Sequence, residues 1–492
     1  MVNTPASYLG IDLGTSAVKA LITDAAGTVL AQASAGLSVQ RLNPGWSEQD
    51  PQEWWRATVS AVRRLPEEAR RGVRAVGLSG QMHGAVLLDA DGAVLRPAIL
   101  WNDGRSAAQC AELEGLAPNL RALTGNMAMP GFTAPKLLWV RAHEPEYFAR
   151  LATVLLPKDY LRFRLTGERI SDLSDAAGTL WVDVGRRQWS DVLLAACGLT
   201  REHMPRLVEG SELAGQLTAT AAAALGLDAV PVAGGAGDNA ASAVGMGLIA
   251  PGQALLSLGT SGVLLVVTDR FAPNPARGVH TFCHALPQLW HQMAVMLTAA
   301  SALDWVSTLA GFPDLPTAAA AASARGLHAE TPLFLPYLSG ERTPHNDAHA
   351  RGTFFRLTPQ TTSADLVVAV LEGVVHAFAQ CLGILEAAGG QVGEICLVGG
   401  GVRVDYWLDL LAAALQHSLS VRSGSEVGAA LGAARLAQLA VTGAQPESVC
   451  SVGTLLRRIG PDSALVRRIQ ARHPTFVELY RVLKPLYQEF PT

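Results

Sequence analysis

Two short glycine turns in this 492-residue chain carry groups suited to phosphate and metal chemistry. The first is Gly10-Ile-Asp12-Leu-Gly14-Thr15-Ser16, in which an aspartate ends an apolar run typical of a buried strand. Its carboxylate could hold a hydrated Mg²⁺, while the amides and hydroxyls of the turn, including Thr15, could face phosphate oxygens. A hairpin turn with a hydrogen-bonded, purely structural aspartate is the alternative interpretation.

The second turn, Gly259-Thr260-Ser261, repeats the first at an offset of 245 positions (259 minus 14), close to half the chain. Both turns lie between apolar runs of the β type, which predicts a duplicated chain with two similar lobes and a cleft between them. Ser257 stands where Asp12 would fall, so only the first turn carries a carboxylate. A single metal-bound triphosphate that bridges two lobes would require this asymmetry.

A third glycine turn, Gly235-Ala-Gly237, leads into Asp238-Asn239 at the predicted start of a helix. The pattern fits G-x-G-x-x-A, but the next acidic residue is Asp269 rather than one about 20 positions on, which disfavours a dinucleotide site. Two interpretations of Asp238 remain. It could cap the helix, or it could accept a proton from a substrate hydroxyl beside the cleft.

Two further glycine-flanked loops could contact small ligands. Met82 and His83 lie in the loop Ser79–Gly84, whose donors and acceptors would suit a polyhydroxylated substrate. Gly400 and Gly401 follow the predicted strand EICL and would let the backbone approach a flat ligand closely. Either loop could instead be purely structural.

Other polar segments give weaker indications. A zinc site is disfavoured because HTFCHA would alternate between two faces of a strand, and no carboxylate or second cysteine pair completes the set of His280, Cys283, His284 and His291. The polar loops WNDGR (101–105) and LSGERTPHND (338–347) give no specific prediction.

Short strands that alternate with amphipathic helices must position these groups, which predicts an α/β protein. A β-meander is expected around the first turn, followed by a helix over Pro51–Leu65 with Asp50 at its N-cap. A long helix is expected over Ser363–Ala388 from apolar residues spaced three and four apart. Gly and Pro cluster at 245–252, so we expect an N-terminal lobe at 1–247 and a C-terminal lobe at 248–492.

The composition excludes several classes of function. With 49% hydrophobic and 16% charged residues and a net charge of -4, the chain is globular and an unlikely match for nucleic acid. None of its four lysines lies in the Gly-Lys-Ser/Thr of a P-loop. Six scattered cysteines without a C-x-x-C pair, no secretory signal and no uninterrupted apolar run of about 18 residues predict a soluble cytoplasmic protein without a membrane partner.

Taken together, the segments resemble the FGGY carbohydrate kinases. The stretches that carry the resemblance run in order from residue 8 to about 438, and the last 50 or so residues match loosely. They are GIDLGTS, WSEQDPQEWW, SGQMHG, RPAILWNDGR, GNMAMPGFTAPKLLWV, SDLSDAAGTLW, GDNAASAVG, LSLGTSGV, FLPYLSGERTPHN, LVGGG and VGAALGAARLAQ.

The resemblance implies a duplicated actin-like ATPase fold, with two ribonuclease-H-like lobes that bind ATP, Mg²⁺ and a sugar between them. It implies phosphorylation of a ketopentose in xylose catabolism, with xylulose as the expected substrate. Kinases for ribulose, gluconate or glycerol, or a protein-binding ATPase switch, are alternatives, and the loop at Gln81-Met82-His83 argues against glycerol. A homodimer is one option for assembly.

The resemblance also assigns roles to residues. Asp238 would be the general base and Asp12 would help to hold Mg²⁺ and ATP. The sugar would contact Met82, His83 and Asn239. The remaining positions would bind ATP, with phosphates at Thr15, Gly259 and Thr260 and adenosine at Gly400 and Gly401.

Overall fold

The structure is a computed structural model that describes residues 6–389, 391–424 and 427–489. In the first half of the chain the strands are β1 (Ser7–Leu13), β2 (Ala17–Asp24), β3 (Val29–Gly36), β4 (Glu48–Gln49), β5 (Val73–Gly80), β6 (Val86–Leu88), β7 (Ala98–Ile99), β8 (Thr153–Leu155), β9 (Ile170–Asp172), β10 (Val182–Asp183), β11 (Gln188–Trp189), β12 (Arg206–Val208), β13 (Leu213–Gln216), β14 (Pro231–Ala233) and β15 (Ala236–Gly237). The helices of this half are α1 (Pro51–Arg63), α2 (Glu67–Arg71), α3 (Ala107–Leu116), α4 (Leu120–Thr124), α5 (Thr133–His143), α6 (Pro145–Ala149), α7 (Pro157–Thr166), α8 (Leu173–Ala176), α9 (Asp191–Ala196), α10 (Ala219–Leu225) and α11 (Asp238–Gly245).

In the second half the strands are β16 (Ala254–Leu258), β17 (Gly262–Thr268), β18 (His280–Cys283), β19 (Trp290–Met296), β20 (Leu333–Leu335), β21 (Thr353–Phe355), β22 (Ile395–Val398), β23 (Leu419–Arg422) and β24 (Leu455–Ile459). The helices of this half are α12 (Ala300–Leu309), α13 (Leu315–Arg325), α14 (Ser363–Ala387), α15 (Asp405–Leu415), α16 (Gly428–Thr442), α17 (Pro446–Val449) and α18 (Ser463–Glu489).

Each half is built on a mixed sheet, and the two sheets share one topology. The first has the order β13-β14-β5-β1-β2-β3, and the second has the order β18-β19-β17-β16-β22-β23-β24. In both, the strand before the glycine turn pairs antiparallel with the strand after it and parallel with a later strand, β5 or β22. The predicted α/β class, the β-meander and the duplication are confirmed.

The two predicted helices are present. α1 begins at Pro51 because the Asp50 carboxylate accepts a hydrogen bond from the Gln52 amide at 2.9 Å, as proposed for its N-cap. α14 begins with a capping box in which Thr362 and Asp365 bond reciprocally.

Helix α14 is also long and apolar enough to cross a membrane, judged by length and composition alone. In its most apolar 18-residue window, however, 83% of the residues are buried inside the protein, as in the core helix of a soluble fold. The helix is not an uninterrupted apolar run in the sequence, because Asp365, Glu372 and His376 lie within it.

Helices α11 and α16 pack on each other at the centre of the molecule, and α16 crosses to the sheet of the other half. α16 belongs to the second half yet packs against β1 and β5 of the first sheet. In α11, Ala243 and Met246 belong to the same buried apolar cluster as Leu255 and Leu265 of the second sheet.

Glycine permits the close approach of α16 to its neighbours. A Cβ on Gly432 would lie 1.8 Å from the carbonyl oxygen of Ala241 in α11, and a Cβ on Gly10 of β1 would lie 1.9 Å from that of Ala430. Backbone therefore packs directly on backbone at the centre of the molecule, where any side chain would force the elements apart.

Candidate active site

A cavity of about 240 Å³ opens between the two halves and brings together four of the residues singled out from the sequence, Met82, His83, Asp238 and Asn239. The other residues that line it are Trp101, Met129, Gly131, Phe132, Ser261, Val263, His280, Phe282, Met293, Val295 and Arg342. We call it the first cavity. Its wall is largely apolar with a few convergent polar groups, as in sites for small molecules.

Asp238 is the first residue of α11 and faces the first cavity. Its Oδ1 accepts hydrogen bonds from the backbone amide and the side-chain amide of Asn239, at 2.8 and 2.9 Å. The N-cap position belongs to Gly237 and has no side-chain cap, so the capping interpretation of Asp238 is wrong. Burial, together with the nearby negative charge of Asp12, raises the pKa of Asp238 to about 7, a value suited to a general base.

Asp12 lies at the end of β1, and its Oδ1 accepts a hydrogen bond of 3.0 Å from the Ser79 hydroxyl. Burial raises the pKa of Asp12, while the Ser79 bond and the positive charge of Lys19 act in the opposite direction. The carboxylate is half-buried and keeps Oδ2 free of hydrogen bonds among the residues that the structure describes. An oxygen ligand in such a position suits a divalent cation.

His83 has a left-handed backbone with a φ of 68°, which is uncommon for a residue with a side chain. Its Nδ1 donates to the Gly178 carbonyl at 2.8 Å, which leaves Nε2 as the acceptor. Burial is the main reason that the pKa of His83 is lowered to about 3, and the positive charges of Lys136 and Arg342 contribute to the lowering. The imidazole is therefore neutral at physiological pH.

The loop that carries His83 is held by a buried lysine. Lys136 Nζ donates to the His83 carbonyl at 2.8 Å and to the Gly131 carbonyl at 2.7 Å, and Thr133 Oγ1 donates to the same His83 carbonyl at 3.1 Å. Burial lowers the pKa of Lys136 to about 7. These bonds keep the strained loop in one position beside the first cavity.

A buried group of charges supports the turn before Asp238. Lys158 Nζ lies 2.6, 2.5 and 3.0 Å from the carboxylates of Asp159, Asp172 and Asp175. The Asp172 carboxylate accepts a hydrogen bond from the Ser174 hydroxyl. The oxygen of that hydroxyl accepts a hydrogen bond of 3.2 Å from the Gly237 amide. These carboxylates form the one cluster of potential metal ligands found among the described residues, and the lysine ammonium lies among them.

Thr15 connects the first glycine turn to the wall of the first cavity. Its hydroxyl donates to Gln81 Oε1 and accepts from Trp101 Nε1, both at 3.0 Å. Gln49 Oε1 accepts a hydrogen bond from Gln81 Nε2 at 3.1 Å, and Gln49 Nε2 donates one to the Thr15 carbonyl at 2.8 Å. The Thr15 proton is thus used within the protein, and a contact of this residue with phosphate stays a prediction.

A second cavity of about 820 Å³ lies next to the second glycine turn. Gly259, Thr260, Gly400 and Gly401 all line it, so four more of the predicted residues share one site. Leu303, Asp304, Pro316, Ser323, Arg403 and Tyr406 are among the other lining residues. Since Ser261 lines the first cavity while Gly259 and Thr260 line the second, the turn separates the two sites by the width of a few atoms of backbone.

The sequence interpretation missed part of the first cavity. Trp101 and Arg342 come from the two polar loops for which no prediction was made, and His280 was considered only as a zinc ligand. His280 instead bonds through Nδ1 to Asn126 Oδ1 at 2.9 Å. The only available signal was the unusual polarity of these loops, which does not show that they reach a cavity lined by residues from both halves of the chain.

Two mixed sheets of the same topology, with ligand cavities between and beside them and a buried acid at the junction, define an actin-like ATPase fold with a phosphoryl-transfer site. The models of the FGGY family of carbohydrate kinases match the chain in both parts, the N-terminal domain at residues 7–245 and the C-terminal domain at 254–441. The chain belongs to this family and is an ATP-dependent sugar kinase. Membership implies a sugar and ATP as substrates and typically a divalent metal ion.

The curated relatives that are about half identical to this chain are named xylulose kinases. The xylulose kinase of Escherichia coli (strain K12) is 52% identical over 97% of this chain and 99% of its own length. A crystal structure described as a xyloylose kinase from Brucella ovis is 50% identical, has a TM-score of 0.94, and covers 98% of this chain and 100% of its own. The xylulose kinase from Rhodospirillum rubrum has a TM-score of 0.91 at 30% identity, with 98% and 100% covered.

Proposed function

We propose that the protein transfers the γ-phosphoryl group of ATP to O5 of D-xylulose and forms D-xylulose 5-phosphate. The observation that carries the proposal is the pair of cavities that meet at Gly259–Ser261, with the raised-pKa carboxylate of Asp238 in the smaller one. The names and the high identity of the relatives support xylulose as the sugar.

In the proposed reaction Asp238 accepts the proton of the attacking sugar hydroxyl. Asn239 donates both of its hydrogen bonds to Oδ1, and no described residue bonds to Oδ2, which would receive the proton. Phosphoryl transfer depends mainly on positioning and on neutralising charge, and the fixed α11 terminus provides the position. Met82, His83 and Asn239 line the rest of this cavity and would contact the sugar.

The nucleotide would lie in the larger cavity. Its phosphates would meet the backbone of Gly259 and Thr260, with the first glycine turn at Thr15 on the opposite side of the cleft, and its adenosine would lie along Gly400 and Gly401. Mg²⁺ would be held by Asp12 through water, where its charge offsets that of the phosphates. The free Oδ2 of this carboxylate fits that role.

We also propose a two-lobe division at 1–247 and 248–492, with the hinge near Gly245–Gly252. The limits of the two family models, 245 and 254, support this division. The close packing of α16 on α11 and on β1 joins the lobes backbone to backbone rather than by a linker alone. A cytoplasmic location and a homodimer stay predictions; the six free cysteines agree with the former.

A coupled assay of ADP release across ketoses and polyols tests the proposal. D-Xylulose should give the highest kcat/KM among xylulose, ribulose, gluconate and glycerol. Preference for another of these would replace the substrate. ATP hydrolysis that no sugar stimulates would instead favour the alternative of a nucleotide-dependent switch protein.

A further inference from the structure

Arg342 is a positively charged residue of the first cavity that has no established role. It lies between β20 and β21, in the polar loop 338–347, and lines the cavity together with His83 and His280. Among the residues that the structure describes, its guanidinium has neither a hydrogen bond nor an ion pair, whereas its backbone amide donates to Glu341 Oε1 at 2.7 Å. A largely buried guanidinium without a partner is costly unless a ligand supplies acceptors.

The adjacent carboxylate does not neutralise Arg342. Glu341 Oε1 accepts two backbone amides, those of Leu297 at 2.9 Å and Arg342 at 2.7 Å, and thus faces the chain rather than the guanidinium. Burial raises the pKa of Glu341 to about 8, so the carboxyl is mostly protonated at neutral pH. Among the described residues no carboxylate forms an ion pair with the Arg342 guanidinium, which lines the first cavity.

The Arg342 guanidinium shares the first cavity with Asp238, His83 and His280. Its charge adds to the lowering of the pKa of both histidines. A substrate that places its reacting hydroxyl at Asp238 would therefore have Arg342 in the same cavity to bind its other polar groups.

The chemistry of a 2-ketopentose determines what that other end is. Closing the furanose ring of such a sugar consumes O5, so a molecule with a free O5 for phosphorylation must be acyclic and carry a free carbonyl at C2. A guanidinium has five N–H donors and no acceptor, which matches the lone pairs of a carbonyl and its neighbouring hydroxyl. Asp238, in the same cavity, offers the acceptor that a reacting hydroxyl needs.

From this arrangement we propose that Arg342 is a substrate-binding residue that donates hydrogen bonds to the carbonyl end, C1 and C2, of the open-chain ketose. The proposal rests on the function proposed above. It assigns recognition of the sugar's carbonyl end to the second half of the chain and the reacting end to the first.

The loop that carries Arg342 is fixed from both sides. Two hydrogen bonds of 3.0 Å join Thr343 to Val295. The Thr343 amide donates to the Val295 carbonyl, and the Thr343 hydroxyl oxygen accepts from the Val295 amide. At the other end of the loop, Tyr480 of α18 donates to Asp347 at 2.8 Å, and its ring stacks on His345 at a centroid distance of 3.5 Å. The C-terminal helix, which lies beyond the family model, thereby braces the proposed binding loop.

The test compares Arg342→Met and Arg342→Lys with Arg481→Gln, a control that removes an exposed arginine of α18 paired with Glu478. Sugar affinity is measured by calorimetry without nucleotide, and kcat and KM are measured for D-xylulose, ATP and D-arabinitol, one of the two polyols obtained by reducing C2. Melting temperatures verify that each variant is folded.

In Arg342→Met we expect roughly a 10- to 100-fold weaker affinity and higher KM for xylulose, the range for hydrogen bonds from a charged donor, with KM for ATP within about twofold. The preference for xylulose over D-arabinitol should fall, and Arg342→Lys should restore part of the affinity. A change below about threefold in xylulose affinity in both folded variants, or an equal rise in KM for ATP, would overturn the proposal. Wild-type protein that does not phosphorylate xylulose would refute the proposed function instead.

Discussion

Replacing Asp238 by asparagine tests the proposed mechanism most directly. The substitution keeps the size of the side chain and an oxygen that can accept both hydrogen bonds from Asn239, so the start of α11 should be preserved. It removes the proton acceptor. A positioned general base contributes about 10²- to 10⁴-fold, so kcat should fall by that factor, which corresponds to roughly 2.7 to 5.5 kcal/mol of activation free energy.

The pH dependence of kcat/KM gives a second quantitative test of Asp238 as the base. With a pKa of about 7, Asp238 is ionised in about one molecule in ten at pH 6 and about nine in ten at pH 8. The kcat/KM of the wild type for xylulose should therefore rise roughly tenfold over this range and then level off. The residual activity of Asp238→Asn should lack this rise.

Thermal unfolding between pH 4 and pH 8 serves as the control. A carboxyl whose pKa is raised on folding stabilises the folded state fully only below its unfolded pKa, and that contribution is lost as the pH rises through about 7. Asp238→Asn should thus be at least as stable as the wild type at pH 8, and its advantage should shrink toward pH 4. A folded variant with near-wild-type kcat, or a wild-type profile that is flat from pH 6 to 8, would refute the assignment of Asp238 as the base.

Four further changes test other parts of the site and fold. Asp12→Ala should lower kcat and raise the Mg²⁺ concentration needed for half-maximal activity, and an unchanged Mg²⁺ titration would argue against a metal role. His83→Ala should raise KM for xylulose more than KM for ATP, whereas equal effects in steady-state kinetics would indicate a structural loop. Sugar binding should close the cleft, so the radius of gyration from small-angle scattering should fall with xylulose or with xylulose plus a non-hydrolysable ATP analogue, and no decrease in either sample would contradict closure. Gly432→Ala should lower the free energy of unfolding by about 1–3 kcal/mol or more, because its Cβ would lie 1.8 Å from the Ala241 oxygen, while Gly383→Ala in α14, where a Cβ meets no atom within 4 Å, should be neutral or stabilising in the same denaturant titration.

Features encoded locally could be predicted from the sequence. The two glycine turns, the strands around them, the N-cap of α1 and the extent of α14 depend on residues within a few positions of one another, and they lie where expected. Met82, His83, Asp238 and Asn239 could also be selected, because each lies next to a glycine turn at the end of a strand or the start of a helix.

Features that depend on distant parts of the chain could not be predicted. Arg342 and His280 reach the first cavity only because β18 and β19 fold against the first half, and no local pattern encodes that contact. The packing of α16 on the first sheet was missed for the same reason, since Gly10 and Ala430, which it brings together, are 420 positions apart (430 minus 10). Local patterns of small residues in a helix do not show which sheet the helix covers.

The crossing of α16 onto the first sheet has a consequence for how the chain is made. During synthesis β1 and β5 leave the ribosome long before residues 428–442, the helix that covers them. One face of the first sheet, including the backbone around Gly10 and Gly77, must therefore wait uncovered until most of the protein has been translated. A fragment ending near residue 247 would keep that face exposed permanently and should depend on chaperones or aggregate, even though it coincides with a complete family domain.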